Sequence, residues 1–341
     1  MSGAGRTGVA RPVRAAVVGA GLMGHWHARE LDRAGGVLTG VVDADSGAAA
    51  TLARRREAPS VTSIDQLLAA GPEVVHLCTP LGTHVELAEA AMRAGCHVLV
   101  EKPLAPGPAA TARLLALGDS LGVAVCPVHQ YLFQAGIRRA RVLLPRFGPI
   151  LRVEATACSA GGRARPPAEL SRIAADILPH PLSVLDELLE EGVDDLEWSA
   201  RMDRPGELHA LAQADGVTAS IYVSMSGRPT RNEMRVIAAR GTVQIDFFHG
   251  FAFGEPGRTS RRQKALRPFA EAMTKTGAAG ANLTRRALCA EPAYPGLRTL
   301  IEELYAFVRH QREEPPLPAR HSLAVAIARD RLLRAAPPAG L

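Results

Sequence analysis

Aromatic residues make up only 4% of this 341-residue chain, and none of its five cysteines falls in a Cys-x-x-Cys pair. Binding single-stranded nucleic acid by stacking needs aromatic platforms, and a structural zinc site needs clustered thiolates or imidazoles. Neither pattern is present, and no helix-turn-helix or RNA-recognition signature appears. The net charge of +6 and pI near 9.4 therefore read as a mildly positive surface, with no nucleic-acid partner and no metal expected. No apolar run approaches the roughly 18 residues of a membrane span, and the start MSGAGRTGVARP is too polar for a secretory signal. The expected location is cytoplasmic. A GxSxG elbow, a Cys–His nucleophile pair and a carboxylate pair suited to glycoside cleavage are all missing. Cys78, Cys96 and Cys126 lie in or beside expected strands and read as small buried hydrophobes.

With 47% hydrophobic and 22% charged residues, the composition is that of a globular protein, and the length suggests two domains. The most informative stretch is VVHLCTPLGTHVELAEAAMRAGCHVLVEKP, from Val74 to Pro103. Val74–Cys78 is a short, mostly apolar run suited to a parallel strand buried on both faces. Thr79-Pro80-Leu81-Gly82-Thr83 breaks it, Leu87, Ala88, Ala91 and Met92 recur at helical spacing, and Val98–Val100 is the next strand. Glu101-Lys102 then falls at a strand's carboxyl end, where open α/β sheets bind ligands.

Upstream, an apolar strand at 14–18 leads into Gly19-Ala20-Gly21-Leu22-Met23-Gly24 and a helical pattern. Gly19 permits the tight turn, Gly21 lets the backbone approach a pyrophosphate, and Gly24 lets the helix pack on the sheet. The phosphates would rest on free N–H groups at the helix N-terminus. Asp43, at the end of the strand Val37–Val42, suits a ribose 2′-hydroxyl and repels a 2′-phosphate. NAD is the expected cofactor, with Arg54, Arg55 and Arg56 keeping NADP open.

GAGLMG, CTPLGTH and AGCHVLVEKPLA together resemble the Gfo/Idh/MocA family of nicotinamide-dependent oxidoreductases, over nearly the whole chain. Residues 1–12 read as disordered, and the resemblance implies a Rossmann domain at 13–128. It also implies a C-terminal α+β domain at 129–341 with an open, largely antiparallel sheet, through which a homo-oligomer (dimer or tetramer) forms. The implied reaction is hydride transfer at an alcohol or carbonyl carbon of a sugar-like, cyclitol or secondary-metabolite small molecule. Two alternatives stay open: a redox-neutral enzyme holding NAD tightly, and a non-catalytic NAD(H)-sensing protein.

Asp176-Ile177-Leu178-Pro179-His180 resembles the family's DxxxH motif. By that match His180 accepts the hydroxyl proton, Asp176 orients the substrate or holds the imidazole charge, and Lys102 polarises the oxygen. Pro179 and Pro181 disfavour helical geometry in the residues before them, which bears on whether Asp176 and His180 share a helix face. Thr79, Pro80, His84 and Glu101 belong to the pattern near the cofactor, although His84 reads equally well as a helix N-terminal residue. In HQYLF (129–133), Gln130 stands for the family's asparagine and Leu132 for its arginine, which points to a less anionic substrate. His25 and His27 read as packing or surface residues.

Beyond a linking helix at 129–144, strand-like runs at 150–157, 196–201, 207–214, 217–224, 232–239 and 241–247 suggest one meander, with a helix at 181–191 and closing helices at 297–309 and 323–333. Arg258, Arg261, Arg262, Lys264 and Arg267 form a basic segment without acidic residues of its own. Its plain reading is a surface element packed over the sheet by Leu266, Phe269, Ala270 and Met273. An anionic ligand, a membrane surface and a subunit contact are the sharper readings.

Overall fold

The computed structural model describes residues 11–159, 165–189, 192–214, 216–257 and 260–336. The disorder expected of residues 1–12 lies mostly outside them. Arg11, which is described, meets Glu73 through both guanidinium Nη atoms at 2.8 Å. The chain divides into two compact units. The first holds the residues up to Pro106 with Ala112–Val128 and Arg298–Pro318; the second holds Gly107–Thr111, His129–Leu297 and the chain from Ala319.

In the first unit, strands β1 (Val13–Val18), β2 (Gly36–Val42), β3 (Val74–Leu77), β4 (His97–Val100) and β5 (Val125–Pro127) form one sheet in the order β2-β1-β3-β4-β5. All its pairings are parallel. Helices α1 (Leu22–Arg33), α2 (Ser46–Arg55), α3 (Ile64–Ala69), α4 (His84–Arg93) and α5 (Pro108–Leu121) make the crossovers. All four residues of β3 are buried, as the apolar run requires of a strand covered on both faces. Asp45 caps α2, accepting from the backbone N–H groups of Gly47 and Ala48 at 2.9 and 3.0 Å. Gly95 takes φ +80° just past α4, the left-handed stop that its position after the helical pattern predicts. Strand order reverses between β1 and β3, so the crevice beyond their carboxyl ends is the natural ligand site.

The second unit opens with α6 (Ala135–Phe147), then β6 (Ile150–Cys158), α7 (Pro167–Ile177) and α8 (Pro179–Leu188). Strands β7 (Glu197–Arg204), β8 (Glu207–Ala214), β9 (Val217–Ser224), β10 (Arg231–Ala238), β11 (Gly241–Asp246) and β12 (Phe251–Pro256) follow. The sheet is not a single meander. Its order is β12-β11-β10-β6-β9-β8-β7, with β6 set between two three-stranded ladders. β6 runs parallel to β9 and antiparallel to β10. Alternation of apolar residues marks a half-buried strand but does not name its neighbours, so this insertion was not readable from the pattern. One sheet face is covered: Val153, Ala155, Ile221, Val223, Met234 and Val236 are all buried. The other face carries Leu211 and Tyr222, 46% and 40% exposed.

A 28-residue helix, α9 (Arg261–Leu288), touches the edge strand β12. The expectation that Leu266, Phe269 and Met273 pack it onto the sheet is overturned: they are 64%, 69% and 76% exposed. Ala270 is exposed as well. Of the basic segment, Arg258 and the side chains of Arg261, Arg262 and Lys264 lie outside what is described, while Arg267 reaches Glu255 at 3.4 Å. Helix α10 (Leu297–Val308) runs almost entirely in the first unit, and α11 (Ala319–Ala335) in the second. Among the described residues, no helix is long and apolar enough to cross a membrane, and no group of three or more His, Cys, Asp or Glu is placed to hold a metal.

Candidate active site

The glycine turn between β1 and α1 is shaped by close approach. Gly19 has φ +97°, and a Cβ there would stand 2.6 Å from the Cys78 carbonyl oxygen. A Cβ on Gly24 would lie 1.9 Å from Gly19 O, so the helix can sit this close only without a side chain. Gly21 is different: nothing lies within 4 Å of the place its Cβ would take. Gly21 precedes α1, whose N-terminus has no side-chain cap and no acidic residue in its first turn. Leu22 beside it is 68% exposed. An open glycine at an uncapped helix N-terminus fits a pyrophosphate, which supplies the acceptors that the free N–H groups need.

Asp43 stands half-buried at the end of β2. Its Oδ2 accepts from Ala20 N at 2.5 Å and its Oδ1 from Asp45 N at 2.8 Å. The carboxylate is thus fixed against the glycine turn, where a ribose hydroxyl beside the pyrophosphate would meet it. Arg56 faces Asp32 at 3.3 Å, while Arg54 and Arg55 are exposed in the last turn of α2.

Thr79 and Pro80 follow β3, and Glu101 and Lys102 follow β4, at the same edge of the sheet. His84 ties these loops together, its Nε2 lying 2.8 Å from Thr79 O and its Nδ1 2.9 Å from Pro103 O. Glu101 is buried, and its two oxygens are differently engaged: Oε1 faces His27 Nε2 at 3.2 Å, and Oε2 accepts from Lys102 N at 3.2 Å. Burial would raise this carboxyl; the hydrogen bond from His27 and the charge of Lys102 help to offset it, leaving the group below its ordinary value. Lys102 itself is half-buried.

Sequence reasoning missed the residues behind Glu101. His27 Nδ1 lies 3.0 Å from His76 Nδ1, and His76 Nε2 lies 3.0 Å from the Tyr305 hydroxyl on α10. His27, His76 and Tyr305 are all fully buried. A histidine inside the apolar run of β3 was the available signal, since a buried imidazole has to find partners.

In the second unit, Gln130 is buried in a short 3₁₀ turn, Gln130–Phe133. Tyr131, next in that turn, is sandwiched between His180 (centroids 4.2 Å apart, planes 9° apart) and Phe247 (4.7 Å, 15°). Burial raises the Tyr131 phenol well above its ordinary value even though Asn232 donates to it, so it stays protonated. Asp176 lies in the last turn of α7 and His180 in the first turn of α8, the helices parting at Leu178 before Pro179. The Asp176 carboxylate lies 3.6 Å from Arg329 on α11. Below the 3₁₀ turn, His129 Nδ1 meets His321 Nε2 at 3.2 Å, and His321 Nδ1 meets Asp186.

Residues 13–129 match the family described as "Oxidoreductase family, NAD-binding Rossmann fold" (GFO_IDH_MocA). The chain is 33% identical over 139 residues to a UDP-N-acetylglucosamine 3-dehydrogenase of Acidithiobacillus ferrooxidans, covering 38% of this chain and 44% of that one. It is 34% identical over 138 residues to a myo-inositol dehydrogenase of Streptomyces leeuwenhoekii, covering 40% and 42%. It thus spans less than half the length of these curated relatives. The WlbA dehydrogenase from Bordetella pertussis, solved with NADH and UDP-GlcNAcA, shares the fold with TM-score 0.74 at 20% identity, over 95% of both chains. The match to this oxidoreductase family lies in the Rossmann domain, residues 13–129.

Proposed function

We propose that this protein is an NAD-dependent dehydrogenase acting at an alcohol carbon of a sugar or cyclitol. One observation carries the reading: the uncapped N-terminus of α1, the open face of Gly21 and the fixed Asp43 share a sheet edge with Glu101-Lys102. Bound NAD supplies the hydride acceptor, and the remaining requirements fall to the chain. Residues Gly19 to Gly24 receive the pyrophosphate, Asp43 accepts from the ribose 2′-hydroxyl, and Thr79, Pro80, His84 and Gln130 are assigned to the cofactor. Asp43 disfavours a 2′-phosphate, so NAD is preferred over NADP.

Lys102 stabilises the oxyanion that develops as the C–H bond breaks, and His180 takes the hydroxyl proton. Tyr131 holds the His180 imidazole by stacking. Asp176, shared with Arg329, serves as the orienting carboxylate. The sugar or cyclitol class rests on the activities named for the relatives. Assembly as a homo-oligomer is assigned to the open sheet face bearing Leu211 and Tyr222.

The test is NADH formation followed by absorbance with UDP-N-acetylglucosamine and with myo-inositol. Lys102→Ala and His180→Ala are each expected to lower kcat by about 10²–10⁴-fold, with NAD affinity nearly unchanged. Copurified NAD, together with turnover that needs no added cofactor, would replace this reading with the redox-neutral one.

A further inference from the structure

The first unit contains a continuous buried chain of polar groups that the hydride-transfer reading does not use: Tyr305 Oη, both nitrogens of His76, both of His27 and the Glu101 carboxylate. The three contacts measure 3.0, 3.0 and 3.2 Å. The rings meet edge-on, His27 to His76 at 90° and His76 to Tyr305 at 70°. Each contact needs one hydrogen, and its owner follows from the ends. A carboxylate only accepts, so His27 Nε2 carries a proton. A neutral His27 then presents a lone pair at Nδ1, and His76 Nδ1 has to donate to it. This leaves a lone pair on His76 Nε2, which the Tyr305 hydroxyl satisfies. Running the chain the other way with both imidazoles neutral sets the His27 Nε2 lone pair against the carboxylate.

We propose that His76 and Tyr305 are positioning residues for Lys102: they fix the His27 tautomer that orients Glu101, and Glu101 in turn clamps the Lys102 backbone N–H. The last link is the 3.2 Å contact from Lys102 N to Glu101 Oε2, the oxygen that His27 does not take. Burial first, and then the neighbouring His27 imidazole, holds His76 well below its ordinary value, which keeps it the neutral relay that the chain needs. Burial likewise raises the Tyr305 phenol, so it remains a donor; Arg309, Asp32 and Glu73 are the charges that act on it. Cys78, at the end of β3, faces the same carboxylate and is raised by burial and by Glu101, so it stays a thiol.

The importance of Lys102 rests on the proposed dehydrogenase activity, but the chain can be tested without any substrate. In full-length protein labelled with ¹⁵N-histidine, long-range imidazole spectra should show the proton of His27 on Nε2 and that of His76 on Nδ1. Amide exchange reads the clamp. His76→Leu should speed exchange at Lys102 about tenfold or more, the scale of one lost hydrogen bond to a charged acceptor, while Val98–Val100 stay protected. His76→Asn, which keeps a donor toward His27, should restore most of the protection. Tyr305→Phe, which folds without losing bulk, should fall between the two. A proton on His27 Nδ1 or on His76 Nε2 overturns the direction of the chain. Unchanged Lys102 exchange in His76→Leu, or in Tyr305→Phe, overturns the positioning role. Absence of NADH formation in wild type, with the tautomers and exchange as expected, counts against the dehydrogenase reading alone.

Discussion

His84 spans two loops of the nucleotide-binding edge, standing 2.8 Å from Thr79 O and 2.9 Å from Pro103 O. These carbonyls close the turns after β3 and β4, so one imidazole sets the spacing between Thr79-Pro80 and the Lys102-Pro103 step. The ring is 1% exposed, and an apolar replacement would leave both acceptors in a dry environment. His84→Leu should cost about 1–3 kcal/mol in a denaturant titration with the slope unchanged. An unchanged midpoint would show that water reaches these carbonyls once the ring is gone.

The glycines of the turn separate by what their missing side chains would meet. Gly24→Ala sets a Cβ 1.9 Å from a backbone oxygen, which no rotamer can relieve. Helix propensity alone would favour alanine by about 1 kcal/mol, but an overpacking cost of roughly 1–3 kcal/mol or more exceeds it. Gly21→Ala meets nothing within 4 Å. It should therefore fold normally and instead crowd the bound pyrophosphate, weakening NAD binding at least about tenfold, or 1.4 kcal/mol. Unfolding midpoints and NAD calorimetry on the two variants measure the split. Equal NAD affinity for Gly21→Ala and wild type would remove the phosphate from this turn.

Much of this edge was legible because its physics is local. Gly19, Gly21 and Gly24 each answer to one turn, and Asp43 and Glu101-Lys102 fall at strand ends that the apolar runs define. What escaped was long-range. His27 and His76 are 49 residues apart and Tyr305 a further 229 from His76, and no periodicity links them. No strand was expected at β12 (FAFGEP), which contains Gly254 and Pro256, yet it pairs along its whole length with β11. The stripe on α9 misled for another reason. Helical spacing of Leu266, Phe269 and Met273 specifies a face but not what covers it.

Stability should fall on both sides of a neutral window. Burial, with the adjacent imidazoles of His27 and His321, holds His76 and His129 well below 6.5. The unfolded chain takes up protons there that the native protein refuses, so stability declines as pH falls below about 6.5. Glu101 adds to this at lower pH: it lies below 4.5 in the native protein, so its contribution is complete above 4.5 and is lost as it protonates. On the alkaline side the sign reverses. Burial raises Cys78 and Tyr305 and pushes Cys96 up to about 11, against ordinary values of 9.0 and 10.0. The native state then keeps protons that the unfolded chain releases, and stability drops above about pH 9. Urea titrations across this range should show the maximum between the two limits, and His129→Leu should flatten the acid limb. Stability that rises from neutrality toward pH 5 would contradict the buried neutral imidazoles.

Helix α9 presents Leu266, Phe269 and Met273 on one face at 64%, 69% and 76% exposure, with Leu283 and Leu288 further along at 70% and 83%. Full burial of such a side chain contributes about 1.5–3 kcal/mol, so leaving this series in water forfeits several times that amount. Contiguous exposed apolar surface of this kind marks an interaction site. The expected occupant is a second copy of the chain. The wild-type protein should therefore sediment as a species heavier than the 36.1 kDa protomer. Replacing Leu266, Phe269 and Met273 together by Gln should shift it toward that mass. The buried core contains none of the three, so the protomer's own unfolding transition and far-ultraviolet spectrum should survive. Sedimentation of the wild type at the protomer mass across micromolar concentrations would instead leave α9 as a solvated helix with no assembly role.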